Sequence, residues 1–170
     1  MRVFVITIII FINFILTITL FDWIEIMGVI PNTALIIVVS YAILRDDVEG
    51  AIVGFCAGLL IDLLFGRMLG ISAFLLMMVG FLCGKPFRDF YKENYVVPVG
   101  MVMLMSLGYE FFYYILTFLL QGGTDFFRYF ATIILPTTVY NIILSIFIYR
   151  IIYGINRRLE RRIERTSGFK

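Results

Sequence analysis

Nineteen consecutive residues, Val3–Phe21 (VFVITIIIFINFILTITLF), carry no charge. A helix of that length spans about 30 Å, the thickness of a bilayer's hydrocarbon core. The pattern returns along the chain: apolar stretches follow one another, each closed by a short charged, Gly-rich or Pro-containing segment. Inside lipid every backbone N–H and C=O must be paired within the protein, which confines runs of this kind to helices. Composition points the same way. The chain is 62% hydrophobic and 15% charged, whereas a soluble domain has about half and about a quarter. The excess is too large for one globular core.

The spans can be placed from their interruptions. Val3–Phe21 is too long for the apolar part of a cleaved leader, and no A-x-A site follows it, so it is expected to remain as a first span. DWIEIMGVI puts Asp22, Trp23 and Glu25 at an interface. Pro31 suits the first turn of a second helix ending near Leu44. That helix is short, so Ile24–Ile30 is expected to dip into the membrane as well. Beyond the charged turn RDDVEG (Arg45–Gly50), a third helix covers about Gly50–Phe65. GRMLG (Gly66–Gly70) is a tight turn, followed by a fourth helix over Ile71–Gly84. The hydrophilic loop KPFRDFYKEN leads to a fifth helix, about Tyr95–Leu120. After QGGTD comes a sixth, about Phe127–Ile152, kinked at Pro136.

The expectation is therefore an all-α integral membrane protein with six transmembrane helices. It forms one domain over residues 1–156, with a basic tail over 157–170. Charge tests that topology. Arg2, Arg45, Lys85, Arg88, Lys92, Arg150, Arg157, Arg158, Arg161, Arg162, Arg165 and Lys170 fall on one side, and only Arg67 and Arg128 on the other. The positive-inside rule makes the first side cytoplasmic, with both termini there.

Within this frame one row of residues stands out. Gly50, Gly54, Gly58, Asp62, Gly66 and Gly70 are spaced by fours. Gly54, Gly58 and Asp62 share a helix face. Small residues at this spacing let two backbones approach closely. The row serves either packing against another helix of the same chain or docking with a partner's helix. Asp62 is about 18 Å along its helix from the cytoplasmic end, and Glu110 lies at a similar depth on the fifth. Asp62, Glu110, Arg67 and Arg128 are expected to be buried charges, with Arg67 and Arg128 as candidate partners for Asp62. Its role is a buried hydrogen bond or, alternatively, part of an ion or proton relay. Against a relay, no chain of ionisable residues crosses the inner leaflet. Asn13 and Asn141 are isolated amides suited to interhelical hydrogen bonds.

Several function classes drop out. The chain has no His, and Cys56 and Cys83 both lie in apolar runs. This speaks against a zinc site, a Cys–His nucleophile pair or a disulfide framework. No metal, cofactor or catalytic residue is expected, and no nucleic-acid module is present. The tail RRLERRIER sets Leu159 and Ile163 four apart among Arg157, Arg158, Arg161, Arg162 and Arg165. It reads as an amphipathic helix continuing the sixth span. It either anchors topology on anionic lipid or docks a cytoplasmic protein.

The order of parts from Pro31 to Gly84, and above all GFCAGLLIDLLFGRMLGISAFLLMMVGFLCG, resembles the bacterial rod shape-determining protein MreD family. The residues that carry the resemblance are Gly50, Gly54, Gly58, Asp62, Gly66, Leu69, Gly70, Gly80 and Gly84. Outside Pro31–Gly84 only length, hydropathy and the basic end agree. The resemblance implies a non-enzymatic membrane scaffold of the cell-elongation (rod) complex. Such a protein binds MreC within an assembly of MreB, RodA and a class B penicillin-binding protein, and supports cell shape and side-wall peptidoglycan synthesis. It also implies a fold like that of the substrate-binding subunits of energy-coupling-factor vitamin transporters. That second likeness supplies the alternative, a vitamin-binding transporter subunit. Such subunits carry Ala-x-x-x-Ala-type motifs, and the first span here has no Ala or Gly.

Overall fold

The computed structural model describes residues 29–65, 69–84, 96–119 and 125–167, the side chains of 118, 119 and 158–167 excepted. The expected first span, Asn13, Gly66, Arg67 and the Lys85–Asn94 loop lie outside the described residues, as do the side chains of Arg158, Arg161, Arg162 and Arg165.

Five helical rods make up the described chain. They are α1 (Thr33–Leu44), α2 (Asp47–Phe65), α3 (Ile71–Gly84), α4 (Val96–Tyr114) and a last rod of α5 (Phe126–Tyr129) and α6 (Leu135–Ser167). Single π-helical segments follow α4 (Ile115–Leu119) and join α5 to α6 (Phe130–Ile134). Three rods are long and apolar enough to cross a bilayer: Asp47–Phe65, Val96–Thr117 and Phe126–Arg157. Their outward faces carry Ile52, Phe55 and Leu63 on α2, Leu104 and Phe112 on α4, and Ile143, Phe147 and Ile151 on α6, all exposed. Such a surface suits hydrocarbon and not water.

The short helix α1 is the core. Ala34 to Ile43 are all buried, and α1 packs against α2, α3, α4 and α6. It is apolar all round because it has no outward face. Its twelve residues cover about 18 Å, little more than half a hydrocarbon core. Val29 and Pro31 ahead of it are buried as well, so its N-terminus lies inside the bundle, where orphan N–H groups are costly. The Asn32 carboxamide oxygen accepts from Leu35 N–H at 3.0 Å, and the Asn32 N–H donates to Asn141 Oδ1 at 2.8 Å. Asn141 Nδ2 donates to Ser106 Oγ on α4 at 2.7 Å. Asn141, fully buried, thus ties three helices together.

Some helix ends differ from expectation. The helix starts at Thr33 with Asn32 as its N-cap, so Pro31 precedes the helix instead of opening it. Asp47 and Glu49, assigned to a turn, form the acidic first turn of α2, where carboxylates offset the helix dipole. Pro136 follows a π segment in which Leu135 N–H bonds five residues back to Phe130. That wider turn accommodates the ring and the missing N–H. The basic stretch from Arg157 continues α6 without a break to Ser167. The 33 residues of α6 measure about 50 Å, so the helix outruns a bilayer.

Candidate functional site: the glycine seam and the buried carboxylates

The most extensive helix–helix contact joins α2 to α3, and glycine makes it possible. A Cβ on Gly50 would sit 2.5 Å from Ala42 Cβ and 2.9 Å from the Gly80 carbonyl oxygen. One on Gly54 would overlap the Leu76 carbonyl, one on Gly58 the Ser72–Ala73 backbone, one on Gly80 the Gly50 carbonyl, and one on Gly84 the Asp47 backbone. The two helices run antiparallel and meet every four residues, backbone against backbone. The stripe of Gly50, Gly54 and Gly58 thus faces α3 of the same chain.

Asp62 is the next step of this stripe. There the contact changes from a missing side chain to a carboxylate. Asp62 Oδ2 accepts from Gly70 N–H at 2.9 Å and Ala73 N–H at 3.0 Å, and Oδ1 accepts from Ser72 N–H at 3.1 Å. One α2 side chain therefore caps the N-terminus of α3 across the seam and satisfies three donors that lipid could not. Gly70 has φ of +99°, a conformation other residues adopt only with strain. It turns its N–H toward Asp62.

Arg128 is not the partner of Asp62. It lies exposed on the four-residue α5, at the end of the last rod, where a guanidinium can remain hydrated. It is therefore not one of the buried charges it was expected to join.

Glu110 is also buried, at 9% exposed against 2% for Asp62. Tyr109 feels both acids. Its phenol lies within hydrogen-bonding reach of Ser72 and in the electrostatic field of both Asp62 and Glu110. Beyond Glu110 lies an aromatic cluster. Tyr114 packs on Tyr129 with ring centroids 4.8 Å apart and on Phe126 at 5.3 Å, and Tyr109 stacks on Tyr113 at 5.9 Å. The Asn32–Asn141–Ser106 network and the Tyr114–Phe126 and Tyr114–Tyr129 contacts could not be read from spacing, because each joins residues on different helices.

Chemically, the Asp62 side is spent on backbone donors. Cys56 is exposed, Cys83 is buried and both are free thiols. Among the described residues no group of three His, Cys, Asp or Glu could hold a metal ion.

An apolar exterior, a backbone-packed hairpin and a capped helix inside the bundle define an all-α membrane protein. Comparison with known families supplies the particular. The family model for rod shape-determining protein MreD matches residues 1–159. The chain belongs to that family, whose members are rod shape-determining membrane proteins. No curated protein matches the chain, and no solved structure matches it.

Proposed function

We propose that the chain is a non-enzymatic scaffold subunit of the cell-elongation (rod) complex. In this reading it spans the bacterial cytoplasmic membrane six times, with both termini in the cytoplasm. It binds MreC and supports side-wall peptidoglycan synthesis by an assembly that includes MreB, RodA and a class B penicillin-binding protein. The observation that carries the reading is the family match over residues 1–159. The geometry adds physical support, because a scaffold needs a fixed shape. A seam closed by glycine and capped by Asp62 holds α2 and α3 in one register.

The glycines act on partner binding through that shape. Their small faces are already covered by α3, so the docking surface is an apolar outer face held in place by the seam. The basic stretch Arg157–Arg165 lies on the cytoplasmic side, at anionic lipid.

The test is co-expression of the tagged chain with the MreC protein of the same organism, followed by purification in mild detergent. The two are expected to co-elute, and Gly54→Leu to abolish co-elution. Failure of the folded wild-type chain to hold MreC would overturn the reading. So would recovery of paired ATPase subunits with a coupling protein.

A further inference from the structure

The environment of Glu110 has a different chemistry from that of Asp62. Ser106, Glu110, Tyr114 and Thr117 recur on one face of α4 and its π-helical extension, and all four are buried. The polar groups of this face are already engaged. The Thr117 hydroxyl donates to the Tyr113 carbonyl, and Ser106 Oγ accepts from Asn141. Opposite, the Thr138 hydroxyl donates to the Ile134 carbonyl at 2.7 Å. No hydrogen bond or ion pair joins Glu110 to any described residue. Arg128 stays exposed.

Among the described residues, the fully enclosed side-chain atom without a partner is Arg45 Nε and not a Glu110 oxygen. The unpaired Glu110 carboxylate therefore still reaches the surface of the described bundle, and acids in membrane-spanning helices mark sites of binding or transport. Around this one are phenol rings. Tyr109 and Tyr129 both lie in its electrostatic field, and Tyr129 packs against Tyr114. Two π-helical segments, Ile115–Leu119 and Phe130–Ile134, border the cluster. Single π turns of this kind concentrate at functional sites.

We infer that Glu110 and the tyrosines around it form a binding site for an organic ammonium group. The carboxylate would neutralise the charge and accept its N–H donors, while the ring faces would stabilise it by cation–π attraction. A single carboxylate among phenols lacks the six to eight oxygens a calcium ion takes, so an organic cation fits better than a metal. Two sources carry this chemistry: the ethanolamine headgroup of a phospholipid and a small water-soluble amine. Phe111 and Phe112, next to Glu110 and exposed on the outer face of α4, put lipid within reach.

Two arms separate the sources. In the first, full-length protein in nanodiscs of mixed phosphatidylethanolamine and phosphatidylglycerol is released into a native mass spectrometer, and retained lipid is identified. In the second, protein in phosphatidylglycerol nanodiscs is titrated with radiolabelled ethanolamine. Wild-type protein is expected to retain its ligand in one arm. Glu110→Gln, which keeps shape and removes charge, should weaken retention at least about tenfold. Tyr129→Leu should weaken it about threefold, and melting temperature would verify that both variants fold. Retention of phosphatidylethanolamine alone assigns the lipid, and ethanolamine binding assigns a soluble amine. No ligand in either arm, or equal retention by Glu110→Gln, overturns the site and leaves Glu110 a packing residue.

Discussion

Asp62 and Glu110 are two buried acids whose charges both act on Tyr109, and the fold treats them in opposite ways. Asp62 accepts three backbone N–H groups and closes a seam in which two helices touch through their main chains. Glu110 accepts none from the described residues, and its charge acts on Tyr109 and Tyr129 near two π turns. The difference teaches how to separate a structural charge from an available one. Burial alone does not decide, since both acids are buried. What decides is whether the donors that a carboxylate needs are already supplied by the chain.

The largest expected effect lies at the seam. Gly54→Leu would drive a side chain into the Leu76 carbonyl, and neither helix can retreat without opening the α2–α3 contact. The expected cost is about 4 kcal/mol or more, enough to lose the folded protein. The yield of monodisperse protein in detergent measures it, and a normal yield would break the seam account. Next comes Asp62→Ala, which strands Gly70, Ser72 and Ala73 N–H groups at a helix end in lipid. A loss of about 3 kcal/mol is expected in thermal unfolding, with faster amide hydrogen exchange confined to those residues. Asn141→Ala removes two hydrogen bonds and should cost about 1 kcal/mol by the same assay. The smallest effect falls on the other region. A Cβ on Gly108 of α4 meets nothing within 4 Å, so Gly108→Ala should be neutral or stabilise by about 0.5 kcal/mol. A cost like that of Gly54→Leu would mean that glycine spacing, not the seam, is what matters.

Much of the fold was legible because lipid punishes charge. The interruptions at Arg45–Glu49 and Gln121–Asp125 marked helix ends to within a few residues. The four-residue glycine spacing implied close packing, and the place of Asp62 on the glycine face pointed to a buried hydrogen bond. Spacing did not distinguish a partner's helix from α3, since it describes one face and not what covers it. Hydropathy also does not encode depth. It could not reveal that α1 begins inside the bundle, nor that Asn32 meets Asn141, 109 residues away. Arg128 was misplaced for the same reason: an apolar neighbourhood in sequence does not say whether a long side chain reaches out to water. The π segments depend on how aromatic rings and Pro136 pack, which is tertiary information.

The most direct test of the central claim compares two isosteric changes in one assay. Asp62→Asn and Glu110→Gln each replace a carboxylate by an amide of the same shape. Thermal unfolding of both variants in the same detergent should separate them. Asp62→Asn is expected to lose about 1–2 kcal/mol, because one acceptor oxygen becomes a donor facing N–H groups. Glu110→Gln is expected to stay within about 0.5 kcal/mol of wild type, because no hydrogen bond within the described chain depends on its charge. Equal losses, or a larger loss at Glu110, would contradict the division between a spent carboxylate and an available one.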